Sequence, residues 1–398
     1  MRQAGRVIAG LCAAVLTVSL SACQTGAGPS IAAAATGTPA ASTPAATGPG
    51  TVTTVRATRA EHRLGSRIRL PSQALAAPDA IAVAGTRIWV ANSRYEDGGG
   101  GWLTELSAAT GALVRIVAGG RYALTDPQAL AVDGDRLWVA DGNGDALTEL
   151  DAATGALIRV IAAREYRLAD PAALAVDGGG LWVANGASNS VTELDAVTGA
   201  LIRVISAPRY RLNTTVYAPA IAAAGNRVWV PDGNADAVTE IDAATGALVR
   251  VIEARRYQLN GPDAITAAGS RVWVVNVNTP SVTEIDAATG ALIRVIASLP
   301  NVPFAIAADR GGVWLVTNLG EKAVDGAGPH GSVAEFSAGT GRRIRNITGA
   351  PFGSDSPGGA IAADGGDVWV TDTNFYSNRG WVAGLSAATG ALVRLIVS

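Results

Sequence analysis

Apolar residues in this chain come in short runs broken by Gly, Asp, Asn and Thr, and the arrangement recurs from about Pro78 to the last residue. The stretch Arg136 to Ile161, RLWVADGNGDALTELDAATGALIRVI, shows the unit. With the run just before it, blade 2 reads Leu130 to Asp133, Leu137 to Ala140, Ala146 to Leu150 and Ala156 to Ile161. These are strand lengths with turn residues between them. No copy holds a helix-length run with i, i+3, i+4 spacing and caps, so a helical solenoid is not expected. An aromatic step recurs at Trp89, Trp138, Trp182, Trp229, Trp273, Trp314 and Trp369, at spacings of 49, 44, 47, 44, 41 and 55 residues. Such a period signals a repeat architecture. The pattern predicts an all-β fold: a seven-bladed β-propeller with four antiparallel strands per blade.

Within a repeat the strands are named a to d. Strand a is small and aliphatic, from Ile81-Ala82-Val83 to Ile361-Ala362-Ala363, which suits the crowded position nearest the axis. Strand b carries the tryptophan, expected to fill the space between blades. Strand c holds Thr-Glu at 104–105, 148–149, 192–193, 239–240 and 283–284, and strand d holds Arg115, Arg159, Arg203, Arg250, Arg294, Arg345 and Arg394. The recurrence argues for cross-strand pairs on a partly exposed outer hairpin rather than for general acids. Asp-Ala-Ala-Thr-Gly between c and d reads as a side-chain-capped turn ending in a left-handed glycine. Arg67-Ile68-Arg69-Leu70 resembles an eighth strand d. It is expected either to add to an outer edge or to help close the ring.

Antiparallel order puts the b-to-c and d-to-a loops on one face of the disc and the a-to-b and c-to-d turns on the other. The first face carries the irregularity. Its b-to-c loops are expanded in blade 1 (93–100), blade 6 (319–331) and blade 7 (373–379), which are neighbours once the ring closes. Loops held by a rigid scaffold often carry binding residues. Candidate binding residues are therefore Arg94, Tyr95, Glu96, Lys322, His330, Phe375, Tyr376 and Arg379. The d-to-a loops add Tyr122, Tyr166, Tyr210 and Tyr257. The favoured reading makes these tyrosines plugs of the seams between blades; the other makes them an arc of ligand groups beside Arg121, Arg164, Arg209 and Arg256.

Composition sets the address. Arg2 and Arg6, the apolar run Val7 to Leu20 and the small residues after it read as a secretory signal, too short to span a bilayer. Leu20-Ser21-Ala22-Cys23 resembles the lipobox of bacterial lipoproteins, which implies lipidation of Cys23 and a membrane-anchored, extracytoplasmic protein. The expected organisation is a signal at 1–22, an Ala/Thr/Pro-rich disordered tether at 23–62 and the propeller at 63–398. A tether of that length reaches roughly 30 to 35 Å as a flexible coil. Cleavage before Cys23 removes Arg2, Arg6 and the other cysteine, Cys12, leaving 29 basic against 33 acidic side chains. No internal disulfide is then expected, nor is nucleic acid as a partner. The head is expected to be a monomer.

Catalytic chemistry is sparse. The histidines are His62 and His330, the one lysine is Lys322, and no HExxH or phosphate-cradling GxxxxGK[ST] occurs. Asp141-Gly142-Asn143-Gly144-Asp145 and Asp232-Gly233-Asn234-Ala235-Asp236 open like a calcium loop, but Ala146 and Ala237 stand where an EF-hand has its glycine. These residues read as turns, so neither a metal nor a cofactor is expected, and no residue is assigned a catalytic role.

The segments VWVAN or VWVVN followed by VTELDA-TGALIRVI resemble YVTN-type propeller repeats, close to the NHL type. The resemblance implies the fold and leaves the activity open. The phrase LDAATGALIRVI also resembles repeats of propellers that bind pyrroloquinoline quinone and of outer-membrane assembly lipoproteins built like them, although here arginine stands where those repeats place tryptophan. The resulting expectation is a binding or scaffold module for a protein or cell-envelope glycan. Its alternative is a lyase or hydrolase at the same face, similar in architecture to streptogramin lyases, using His330 and nearby carboxylates.

Overall fold

The computed structural model describes residues 66–71, 74–93, 100–162, 164–206, 208–212, 220–297, 299, 301–309, 311–318, 331–349, 351–352, 359–374 and 379–398. The expected signal, the tether and Cys23 lie outside the described residues, as does His62.

Blade 2 consists of Pro127–Asp133, Arg136–Asp141, Ala146–Asp151 and Leu157–Ile161, and the other blades follow the same order. Six sheets have four strands and one has five, so the seven-bladed propeller expected from the repeat is present. Helical structure among the described residues is limited to single turns, Gly120–Tyr122, Arg164–Tyr166, Pro208–Tyr210 and Ala254–Tyr257. All seven strand b tryptophans are at most 1 % exposed. They fill the inter-blade space, and the Trp89 indole N–H donates across a seam to the Ala152 carbonyl at 3.1 Å.

The surplus strand does both things expected of it. Ser66–Arg69 pairs in parallel with Arg394 to Val397 as the fifth, outermost strand of blade 7. Leu70 N–H then donates to the Val397 carbonyl at 2.7 Å. The strand also crosses the closing seam, since a Cβ at Gly111 in the c-to-d turn of blade 1 would lie 2.4 Å from Ile68 Cδ1. Leu75, Gly380 and Ser398 complete the closure: Gly380 N–H and Ser398 Oγ donate to the Leu75 carbonyl at 3.2 and 2.8 Å.

The outer wall is drier than the sequence suggested. The hairpin is partly exposed on its strand d side, where the arginines are 25 to 41 % exposed, but their partners Glu105, Glu149, Glu240 and Glu284 are fully buried. Each also meets a second arginine at the start of strand b, namely Arg87, Arg136, Arg227 and Arg271. A carboxylate taken out of water needs this much compensation. The strand d arginines reach further, to a carbonyl in the next blade's c-to-d turn, as in Arg159 to Val197 at 3.1 Å and Arg345 to Ala388 at 3.1 Å. They therefore tie hairpin to hairpin around the ring. The turns form as read: Asp151 Oδ1 accepts from Thr154 N–H and Oγ1, both at 2.7 Å, and Gly155 has φ +67°. These hydrogen bonds hold the Asp151 carboxyl below its usual range.

Candidate binding face

The face bearing the b-to-c and d-to-a loops is assembled from three repeated devices. At the top of strand b sits a buried Asn or Asp that accepts backbone N–H groups of the preceding d-to-a loop: Asn92 from Ala76, Asn185 from Ala169 and Asn276 from Asn260, at 3.1 to 3.3 Å. Asp141 does the same for Thr125 and Asp126 while accepting Gly144 N–H at 2.7 Å. Asp232 accepts Asn234 and Ala235 N–H. The calcium-like spacing is thus accounted for by turn formation, because these carboxylates are already occupied by backbone donors. Asp145 and Asp236 close the third position by accepting Asp170 and Gly261 N–H, each at 2.7 Å. Among the described residues no group of three or more His, Cys, Asp or Glu is placed to hold a metal.

The second device is the tyrosine. Tyr122, Tyr210 and Tyr257 are buried and Tyr166 is half-buried. Three of the hydroxyls run down the seam to glycine carbonyls of the next blade's c-to-d turn: Tyr166 to Gly199 at 3.1 Å, Tyr210 to Gly246 at 2.9 Å and Tyr257 to Gly290 at 2.7 Å. Their own carbonyls accept the strand c threonines, with Thr148 to Tyr122 at 2.6 Å and Thr239 to Tyr210 at 2.6 Å. Four contacts of this kind explain why Thr precedes Glu in strand c where the loop before it carries tyrosine. The tyrosines are seam plugs, and what these loops show to solvent is arginine. Arg121, Arg209 and Arg256 stack over the rings with guanidinium carbons 4.6, 5.0 and 4.8 Å from the ring centres.

The third device is a bulge at the entry of strand a. Register slips between Pro78 and Ala80, Pro127 and Ala129, Pro171 and Ala173, and Pro303 and Ala305, leaving Asp79, Gln128, Ala172 and Phe304 out of the ladder. In blade 5 the slip spans Pro262 to Ile265, and burial pushes the Asp263 carboxyl up to about 6. Bulges re-aim side chains, and here the residue they re-aim changes from blade to blade. Asp126 accepts from Gln128 and Asn143 at 2.9 and 3.0 Å. Burial, with Asp126 and Asp145 nearby, raises the Asp170 carboxyl.

Of the candidate residues, Arg94, Tyr95, Glu96, Lys322, His330, Phe375 and Tyr376 lie outside the described residues. Arg379 opens strand c of blade 7, opposite Asn374. That hairpin differs from the others: its strands Asp367–Asn374 and Arg379–Ser386 are eight residues each, against six in blade 2.

Sequence reasoning missed two cavities near blade 4. One, about 510 Å³, is lined by Ser188, Asn189, Arg211 and Asp232 among others. The other, about 700 Å³, includes Arg250 to Glu253 along strand d together with Arg255 and Arg256. The one available signal was the doubled arginine of EARRYQL, where the other tyrosine loops have a single arginine before the ring or, as in AREYRL, a glutamate.

Residues 40–295 match the protein family described as outer membrane protein assembly factor BamB. No curated protein matches the chain. Among solved structures, virginiamycin B lyase from Staphylococcus aureus is similar, with 15% identity, a TM-score of 0.56, and coverage of 75% of this chain and 92% of that one. Its catalytically inactive variant with quinupristin gives 14% identity, a TM-score of 0.57 and the same coverage. Hydrazine synthase from Kuenenia stuttgartiensis gives 18% identity, a TM-score of 0.51, and coverage of 67% and 78%. At these identities the structural likeness carries the fold and nothing finer.

Proposed function

Because the chain belongs to the family of the outer membrane protein assembly factor BamB, we propose that it is an extracytoplasmic β-propeller, held at a membrane by a lipid on Cys23, that binds a partner through its b-to-c face. The partner is a protein or a cell-envelope glycan, and the contact sector is blades 6, 7 and 1. The observation that carries the sector is the blade 7 hairpin, extended by the pairs Thr373 with Gly380 and Asn374 with Arg379 beyond the length of the regular blades. The sequence between the two strands of that hairpin holds Phe375 and Tyr376, with Arg379 opening the second strand, and aromatic and arginine side chains are the residue types that dominate interface energetics. The family description names protein assembly at an outer membrane, which supports a protein partner before a glycan.

The test is crosslinking in the native envelope. The wild-type chain should capture a partner that a Tyr376→Ala/Arg379→Ala variant does not, with both chains equally stable to heat. No captured partner at all would end this reading. Cys23→Ala should move the protein from the membrane to the soluble fraction. A second reading, a lyase or hydrolase, rests on His330 within the blade 6 insertion. It requires His330→Ala to abolish turnover of a substrate that the wild-type chain consumes.

A further inference from the structure

We propose that the free outer edge of blade 4 takes up an extended peptide segment of a partner protein, in parallel orientation, with acidic residues following the paired stretch. This inference stands apart from the blade 6, 7 and 1 sector.

Strand addition to an outer edge already occurs in this molecule. In blade 7, Arg394, Leu395, Ile396 and Val397 pair with Ser66, Arg67, Ile68 and Arg69. In blade 4 the equivalent residues of strand d, Arg250, Val251, Ile252 and Glu253 in LVRVIE against LVRLIV, form, among the described residues, the last strand of a four-stranded sheet. The same four residues line the cavity of about 700 Å³. Arg250 points to blade 5, where it bonds the Thr289 carbonyl, and Glu253 points to Arg211 in the segment before blade 4. A cavity touching side chains of both directions runs along the edge of the strand rather than over one side of it.

The blade 7 pairing also states what the occupant needs. Ile68 covers Ile396 and approaches the glycine of the next blade's turn. In blade 4 the corresponding residues are Ile252 and Gly290, with the Arg250 side chain already against Gly290, so the third residue of an incoming strand should be apolar to lie beside Ile252. Parallel pairing puts the end of the incoming strand beside Glu253. Arg255 and Arg256 follow it, with Arg211 opposite. Arg255 is exposed and, among the described residues, has no ion pair or hydrogen bond. Main-chain pairing supplies affinity and the cations select the sequence that follows. A second copy of this chain is a poor occupant, because its leading strand is already paired with strand d of its own blade 7.

The experiment uses the full chain and a fluorescein-labelled peptide, Ser-Thr-Ile-Thr-Leu-Asp-Glu-Asp, read by anisotropy. Saturable binding is expected. It should weaken about tenfold or more when alternate peptide nitrogens are methylated, which removes main-chain donors only. Replacing the acidic end by three lysines should weaken it by a similar factor, about tenfold at low salt. The Arg255→Glu variant, and Arg255→Glu/Arg256→Glu if it melts like wild type, should reverse the preference between the two peptides. Equal binding of methylated and parent peptides would overturn strand addition. Indifference to the charged end would overturn the assigned chemistry, and absence of saturable binding would overturn both. Self-association that the peptide competes away would make a second copy the occupant instead.

Discussion

Blades 2 and 3 have the same wall except at one position. Strand b of blade 2 starts with Arg136, and Glu149 lies between that arginine and Arg159 at 2.7 Å. Strand b of blade 3 starts with Gly180, and among the described residues Glu193 has Arg203 alone, also at 2.7 Å. Burial then outweighs the single guanidinium and pushes the Glu193 carboxyl up to about 7. A second guanidinium offsets part of that burial without abolishing it, since burial still raises the Glu240 carboxyl between Arg227 and Arg250, and identical backbone geometry does not make the blades electrostatically identical. Blade 7 goes further: Gly384 replaces the glutamate, strand b starts with Asp367, and Arg394 stacks over Trp369 while lying 3.6 Å from Asp367.

The largest effect should be one that the two blades share. Trp138→Ala and Trp182→Ala each empty a fully buried slot and should cost about 3 to 5 kcal/mol. Denaturant unfolding of the two variants should agree closely; a large difference would mean that the blades differ in packing as well as in charge. The next effect should separate them. Arg203→Ala leaves Glu193 buried with no cation and should cost about 2 to 3 kcal/mol at pH 8, while Arg159→Ala leaves Arg136 in place and should cost about half that. Adding Glu193→Gln to Arg203→Ala should recover most of the loss. Equal costs in the two blades would refute the role of the second arginine.

The proton supplies a finer measurement. Folded chain holds the Glu193 proton up to about pH 7, whereas a carboxyl at its ordinary 4.5 has released it. Folding therefore takes up a proton between these values, and Glu193 makes the protein less stable as pH rises through that window. The loss should be on the order of 1 kcal/mol, given a site at the edge of the wall. Gly180→Arg supplies the missing guanidinium, should flatten this part of the pH profile, and should add up to about 1 kcal/mol at pH 8. Its Cβ would sit 3.1 Å from the Trp182 indole nitrogen, so the side chain must leave toward Glu193, 3.5 Å away.

These contrasts also mark what the sequence could tell. Strand b tryptophans, the Asp-Ala-Ala-Thr-Gly turns and the four-strand period were legible because each is local: a turn carries its own cap, and an apolar run carries its own length. The second arginine was not legible. Arg136 and Glu149 are 13 residues apart and meet only through the b-to-c register, Arg136 opposite Asp151 and Trp138 opposite Glu149. The full burial of the glutamates was hidden as well, because charge suggests solvent, while the register folds three charged residues onto one another. Insertions over blades 6, 7 and 1 were visible as spacing alone. Blade 4 shows the opposite limit: its edge cavity depends on a doubled arginine that gains meaning only beside a free strand.

The smallest effect tests the seams that lead into the two blades. Tyr166, before blade 3, donates to the Gly199 carbonyl at 3.1 Å, while the Tyr122 hydroxyl, before blade 2, meets Arg121 at 2.6 Å. Tyr166→Phe strips a carbonyl of its donor inside the protein and should cost about 0.5 to 1.5 kcal/mol. Tyr122→Phe frees an exposed arginine to bond water and should cost less, within about 0.5 kcal/mol. Capture of the envelope partner should be unchanged in both. A tyrosine whose loss as phenylalanine left stability intact but removed capture would be a ligand group rather than a plug, and the seam would then belong to the binding face.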